Sequence, residues 1–495
     1  MVLGYLVVNK NLDKNFTLLY NLVKGNSVMG ILKIHQGGCM KKYFVLLVLP
    51  IIIFAIWDEK WLDINRWRCP FYNDGRYGYD DGGGATWPYP LQNRYIFGAG
   101  VWIGCISSDS IVSLGYNPNT AQSEMVPTLC CYWRQGYANT LDRIYKYPGD
   151  WPAPISRFPM APQISRSNED LWCCFSDSDP SYHTLQGTPI GIDVALTVYG
   201  FSDAIAQDFF YLKYDLINPN NYPLNNLYFG LIFDGDIGDG TDDMVGLIRD
   251  RYFTVGSQTI RVKNTGFMYD YDHIEIGPPV WAPGAVAIRL ISAPSGLTMS
   301  AFKKFTVDFD PLTDRQQYQT LAGYNYQTGA YEPFDSIDIT PGDKRFLLST
   351  GPFNLAPLST VIFSYAVIAT PYGGTGAPPY SDTVQLAWQS YLADSIFRVR
   401  ILGIEDRSSA PTYKTINIHP NPFSSHLQIF SSANEIISVE VYNVNGSLVK
   451  TLSGNAPLFW NGEDEKSKKV PSGIYFLKLS EQGKTTTHKI LLLRN

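Results

Sequence analysis

Five carboxylates fall within ten residues of this chain: Asp234, Asp236, Asp239, Asp242 and Asp243, in a run that alternates acids with glycines. Like charges this close repel unless a cation or water separates them. Ca2+ takes about six to eight oxygen ligands, and an Asp/Gly alternation supplies side-chain and exposed backbone oxygens together. The spacing is not that of an EF-hand: Asp239 stands where that loop needs Gly, and Val245 where it needs a bidentate Glu. The five Asp are the candidate metal ligands and Ca2+ the candidate cofactor. The competing reading is a solvated acidic hairpin tip rich in turn residues. Asp308, Asp310 and Asp314 form a weaker echo, read as a turn.

Support for catalysis is thin. Between residues 58 and 405 the only histidines are His183 and His273, and neither a GxSxG elbow nor an HExxH helix occurs. Paired carboxylates for glycoside cleavage leave no trace in chain spacing. The scarce glutamates Glu124, Glu169, Glu275 and Glu332 are the candidates, and no catalytic residue is assigned. Trp87, Trp102, Trp133, Trp151 and Trp172 permit sugar stacking, with core packing the plainer role. Cys69, Cys105, Cys130, Cys131, Cys173 and Cys174 make an even count that suggests disulfides if the chain is exported; small buried apolar side chains are the alternative.

The elements that must position these residues are strands. Tyr95–Gly104, Gly191–Phe201, Asp208–Asn218 and Asn226–Gly238 read as strands joined by loops, with further strands at Val286–Ile291, Phe346–Ser349 and Val361–Ile368. Tyr211, Lys213 and Asp215 alternate with Leu212, Tyr214 and Leu216, so that strand has one wet face. One helix is expected late, capped by Ser381-Asp382, with Val384, Trp388, Tyr391, Leu392 and Ile396 on one face. Charged residues at 17% and aromatics at 14%, with Gly 42 and Pro 32, fit a Tyr-rich all-β protein with many turns. The net charge is −6; residues 1–39 and 414–495 each carry +3, so residues 40–413 hold −12. That balance excludes nucleic acid as a natural partner and suits a cation-rich exterior.

The last eighty or so residues carry the clearest message. Leu427 and Ile429, then Val439 and Val441, alternate with polar neighbours at strand period. Asn445-Gly446 joins two such runs and is a strong hairpin signal, because both turn positions need positive φ. Another hairpin turns at Gln482-Gly483. About seven short strands favour an immunoglobulin-like sandwich. The segments HPNPF, VEVYNVNGSLVKTL, FWNGEDEKSKKVPSGIYFLKL and HKILLL resemble the type A C-terminal sorting domain of the type IX secretion system, and the related domain of flagellar hook-capping proteins. Asn421, Pro422, Asn445, Gly446, Trp460, Gly462, Asp464, Pro471, Gly473 and Tyr475 fall on that pattern; Asn461 and Ser467 depart from the hook-capping form, where Asp and Gly are usual. The resemblance implies export across an outer membrane and the type IX machinery as partner. The segment before it resembles only uncharacterised secreted β-proteins, which implies no activity.

At the other end, Met40-Lys41-Lys42 and the apolar run Tyr43–Trp57 read as a signal peptide, too short to span a membrane. Translation is then expected to begin at Met40. The expected organisation is an upstream stretch at 1–39, a signal peptide at 40–55, a large β-sandwich or jelly-roll-like passenger with one C-terminal helix at 56–403, a linker at 404–413, and the sorting sandwich at 414–495. The expected protein is a non-catalytic one at the cell surface or secreted, serving adhesion, envelope structure or polysaccharide binding. The competing class is a secreted glycoside hydrolase or peptidase with the same sorting domain.

Overall fold

The computed structural model describes residues 57–403 and 416–494, apart from 81–82, 108, 184–186, 256, 276–280, 336, 373–379, 420, 432–435, 456–457 and 482–483, together with four short strands before residue 44. The apolar stretch 44–56, the linker 404–413 and the turn at Gln482-Gly483 lie outside the described residues. The chain is 47% strand and 10% helix. It divides into two compact units, Met1–Asp406 and Arg407–Asn495.

The first unit is built on thirteen antiparallel strands in two sheets. In chain order they are β1 (Gly98–Ile106), β2 (Ser110–Leu114), β3 (Tyr145–Tyr147), β4 (Glu169–Ser176), β5 (Asp193–Gly200), β6 (Phe209–Ile217), β7 (Leu224–Asp234), β8 (Asp243–Val255), β9 (Gln258–Asp270), β10 (Ala285–Ser292), β11 (Met299–Thr306), β12 (Lys344–Leu355) and β13 (Thr360–Thr370). The smaller sheet runs β2-β1-β7-β12-β11 and the larger β3-β4-β5-β6-β13-β10-β9-β8. Strand alternation sends Leu231, Phe233, Phe346 and Leu348 from one sheet, and Leu212, Tyr214, Val286 and Ile288 from the other, into a common core. Gly266 shows how closely the sheets approach: a Cβ there would lie 2.4 Å from Cε2 of Phe302 on β11.

Both outer faces are covered as well. On the smaller sheet, Trp102, Val112, Ile232 and Leu347 pack against Tyr318 and Leu321 of α2 (Asp314–Leu321). That helix opens with a capping box between Thr313 and Gln316. On the larger sheet, Tyr211, Phe267, Ala287 and Ile368 pack against Leu386, Ala387 and Ala393 of α3 (Tyr380–Ile396) and Phe397 just beyond it. The wet face expected for β6 is therefore partly dry. Tyr211 is fully buried and donates its hydroxyl to Ala393 O at 2.9 Å, while Lys213 and Asp215 pair with each other. Among the described side chains of α3 the buried ones are Thr383, Leu386, Ala387, Ser390 and Ala393; Trp388, Tyr391, Leu392 and Ile396 flank them and Val384 is exposed. The inward face runs through 383, 386, 387, 390 and 393, one position round from the expected one, so Val384 falls outside it.

The six cysteines are free thiols, all buried except Cys131. Cys130 and Cys131 open a short helix, α1 (Cys130–Arg134), rather than lying on a strand. Cys173 and Cys174, adjacent on β4, enter two different apolar clusters, as strand alternation requires. The even count reflects apolar packing here, not cross-links.

The second unit has seven strands: β14 (Ile416–His419), β15 (Leu427–Ser431), β16 (Ile436–Asn443), β17 (Leu448–Asn455), β18 (Leu458–Trp460), β19 (Gly473–Glu481) and β20 (Lys484–Leu492). They form one sheet in the order β14-β15-β18 and a second in the order β17-β16-β19-β20. Leu427, Ile429, Val439, Val441, Leu477 and Leu479 fill the space between them, so the expected small sandwich is present.

Candidate functional site

The acidic run is not a hairpin tip. β7 ends at Asp234 in the smaller sheet and β8 begins at Asp243 in the larger, so the residues between them cross from one sheet to the other. This crossing puts the five sequence-read acids in different surroundings. Asp234 is buried, accepts the Tyr116 hydroxyl at 2.8 Å and lies 3.2 Å from Nε of Arg345. Burial pushes its carboxyl up to about 8 against the pull of that guanidinium. Asp236 pairs with Arg94 at 3.2 Å. Asp239 accepts the Thr241 hydroxyl at 3.0 Å. Asp243 is fully buried and accepts the Ile237 N–H at 3.2 Å, and its burial holds its carboxyl well above the ordinary range. Of the five, only Asp242 joins an acidic group with closely gathered oxygens, and its companions are Asp270 at the end of β9 and Glu275 just beyond.

The remaining sequence candidates are scattered. Asp310 is buried 3.8 Å from Arg345, and burial pushes it up to about 7; Asp314 opens α2. His183 has a buried side chain, with Nδ1 3.7 Å from Glu124 and Nε2 3.1 Å from Asp177 O. His273 is stacked between Tyr269 and Tyr372. Glu169 is buried with Lys146 at 2.9 Å, and Glu332 is exposed. Trp87, Trp102 and Trp172 are core residues; Trp133 and Trp151 are half-buried.

A feature that sequence reasoning missed is a cleft of about 350 Å3 between β11, the loop after α2 and the segment leading into β12. Phe309 and Tyr324 present apolar faces there, 53% and 39% exposed. Its polar lining is cross-tied: Lys303 donates to Asp335 at 2.8 Å, and Asp338 takes Lys304 at 2.6 Å and Lys344 at 2.5 Å. Burial alone would raise Asp338, but the two ammonium groups outweigh it and hold the carboxyl below its usual range. These residues come from separate parts of the chain, and the only local hint was the Lys303-Lys304-Phe305 run.

In the second unit the motif residues are structural. Asn421 donates to Lys489 O at 3.0 Å and accepts the Leu491 N–H at 2.9 Å, clamping β20. Asn443 Oδ1 accepts the N–H groups of Asn445 and Ser447, and Gly446 sits at φ 76°, closing the hairpin. Trp460 is 1% exposed, with ring centroids 5.5 Å from Phe423 and 5.2 Å from Tyr475. Asp464 Oδ1 accepts the N–H groups of Lys466 and Lys468, both at 2.9 Å. Tyr475 donates to Pro471 O at 2.7 Å. Gly462 takes φ 71°, and a Cβ there would meet the Arg494 guanidinium at 2.6 Å. Pro422 follows Asn421 through a cis peptide bond, and Gly473 opens β19.

Residues 417–493 match a family model described as a secretion system C-terminal sorting domain. No curated protein matches the chain. Solved structures similar to it include dimeric latent PorU from Porphyromonas gingivalis, at 11% identity and TM-score 0.16 over 66% of this chain and 32% of that one. PorZ, described as an essential surface component of the type-IX secretion system of the same organism, is similar at 9% identity and TM-score 0.15 over 97% of this chain and 69% of that one. The chain spans about a third of the length of the PorU structure, and at these scores neither likeness bears on fold or function. Among the described residues no helix is long and apolar enough to cross a membrane.

Proposed function

We propose that this chain, which carries a type IX sorting domain at 417–493 and is thereby directed to the cell surface or the exterior, is a non-catalytic polysaccharide-binding protein. The sorting domain implies dealings with the type IX secretion machinery. Its seven strands in sheets of three and four, with a tyrosine hydroxyl bonded four residues upstream, suit an immunoglobulin-like module. The signal peptide read at 40–55 is consistent with the same route.

One observation carries the binding reading: the cleft beside α2 pairs exposed aromatic faces with polar groups already neutralised in place. Phe309 and Tyr324 offer stacking surfaces for pyranose rings. The Lys–Asp pairs present fixed donors and acceptors for hydroxyls. Hydrolysis by paired carboxylates needs one that holds a proton at working pH. Asp338 is pulled the other way by Lys304 and Lys344. Burial pushes Asp234 up to about 8 and Asp310 up to about 7, but at 1% and 5% exposed both are closed to a polymer. A glycan array probed with the full chain tests the reading. Phe309→Ala and Tyr324→Ala should each weaken the best binder about tenfold, worth about 1.4 kcal/mol. Turnover of the bound glycan would establish the hydrolase class instead, and an unaltered affinity in both variants would remove this cleft.

A further inference from the structure

Asp242, Asp270 and Glu275 come from three parts of the chain. Asp242 closes a single 3-10 turn, Gly240–Asp242, just before β8; Asp270 ends β9; Glu275 lies five residues on. The β8–β9 register, with Asp243 opposite Asp270, sets them side by side. One carboxylate oxygen from each lies within 4.8 Å of the others. Acids alone do not make a site, but Asp270 adds a separate observation. It is fully buried, and neither of its carboxylate oxygens has a well-formed hydrogen bond; the His273 backbone N–H exerts only the weakest of the pulls on it. A buried polar group is ordinarily satisfied, and a buried charge is paired or held on a metal. Burial first, then Asp242, Asp272 and Glu275, push the Asp270 carboxyl up to about 7; the charged neighbours acting on it are all acids. Across the ladder, Asp243 is also fully buried, with Oδ1 unpartnered.

The backbone is shaped to bring Glu275 in. Gly238 takes φ 71°, and a Cβ there would fall 1.8 Å from Cδ of Glu275. The Asp239 N–H donates to Oε1 of Glu275 at 2.8 Å, which fixes that carboxylate against the crossing. A glycine is required so that the sheet-to-sheet segment and the Glu275 side chain can share this space.

We propose that Asp242, Asp270 and Glu275 bind a single Ca2+ ion that fastens the sheet-to-sheet crossing to the end of β9. The ligand set is all oxygen, which selects a hard cation. Its three donors differ in depth and origin, which suits the irregular shell of Ca2+ better than the strict octahedron of Mg2+. Of the acids in the Asp/Gly run only Asp242 serves; Asp234 and Asp236 are engaged by Arg345 and Arg94. The site is independent of the glycan cleft and of any activity there.

The test is calorimetric titration of Ca2+ into the full chain after chelation, with thermal unfolding measured in chelator and in millimolar Ca2+. One ion should bind, with a Kd on the order of 10⁻⁴ M as in extracellular modules, and should raise the unfolding temperature. Asp270→Asn and Glu275→Gln should each weaken binding at least about tenfold, while Asp236→Asn stays within about twofold of wild type. Asp270→Asn should unfold no earlier than wild type in chelator, since it removes a buried charge. Should that variant misfold, Glu275→Gln decides the matter. The absence of binding or of thermal gain in wild type would mean that the acids share protons instead, and the proposal falls. It falls equally if Asp270→Asn and Glu275→Gln keep full affinity, or if Asp236→Asn loses as much as they do.

Discussion

Away from the acidic crossing, Asp193 is a side chain whose environment and ordinary chemistry conflict measurably. It opens β5, is 3% exposed, and accepts the Cys130 N–H at 2.7 Å where α1 begins. Burial pushes its carboxyl from 3.8 up to about 7, more than the Cys130 hydrogen bond pulls it down. Between pH 4 and 7 the folded chain holds a proton that the unfolded chain has released. The stability this provides is complete below the unfolded pKa and is lost as pH rises through the folded one. A tenfold difference in proton affinity between the folded and unfolded chains corresponds to about 1.4 kcal/mol, so the full swing is about 4 kcal/mol. Asn at 193 has no such proton to lose. Urea unfolding of Asp193→Asn should therefore differ from wild type by an amount that grows in the variant's favour from pH 4 to pH 8. The slope of that difference is the readout, because any fixed cost of the amide is independent of pH. A flat difference would show that Asp193 titrates as an exposed acid does.

At the level of elements, α3 does more than close the chain of the first unit. Its buried stripe, extended by Phe397, dries the outer face of the larger sheet. Tyr211 is held from both sides there, by its hydrogen bond to Ala393 O and by the Phe397 ring at 5.2 Å. Truncation of Phe397 to Ala leaves a cavity over the centre of that sheet. The expected cost is about 3–5 kcal/mol. It should appear as a lower denaturation midpoint with the slope unchanged; a loss below about 1 kcal/mol would mean that the helix end collapses onto the sheet and heals the gap. The helix and most strands were legible because their periods are written locally. The hairpin at Asn445-Gly446 was legible for the same reason, although only Gly446 takes the positive φ expected of both residues and the ladder beside it is bulged. The crossing at Asp234–Asp243 was not. Asp/Gly runs suit hairpin tips and inter-sheet connections alike, and only the pairing of β7 with β12 and of β8 with β9 tells them apart. Glu275 stood among the sequence candidates, yet its neighbour Asp270 was invisible as one. The approach of both to Asp242 depends on the register of a thirteen-residue hairpin arm, which no local spacing encodes. The cleft beside α2 was hidden for the same reason, being assembled from three separate segments.

For the whole molecule the question is whether address and cargo are separable. The two units have separate apolar cores, and among the described residues the second closes its own with eleven buried residues, Trp460 included. The motif residues that identify the tail spend their side chains on that fold: Asn421 on β20, Asp464 on its own turn, Trp460 and Tyr475 on each other. Recognition by an export apparatus is then expected to require the folded tail and not merely its sequence. Trp460→Ala should cost the small sandwich about 3–5 kcal/mol, a large share of what a domain of this size possesses. Two consequences should appear together in the native host. The variant should fail to reach the surface or medium to nearly the extent of a chain ending at Asp406. In both, the first unit should unfold at the wild-type midpoint, because its core clusters are built from residues of that unit alone. Fractionation followed by denaturant unfolding measures both. Undiminished export of the chain ending at Asp406 would separate the tail from delivery altogether. Normal export of Trp460→Ala alongside failure of the shortened chain would show that the address is read from exposed residues of an unfolded tail.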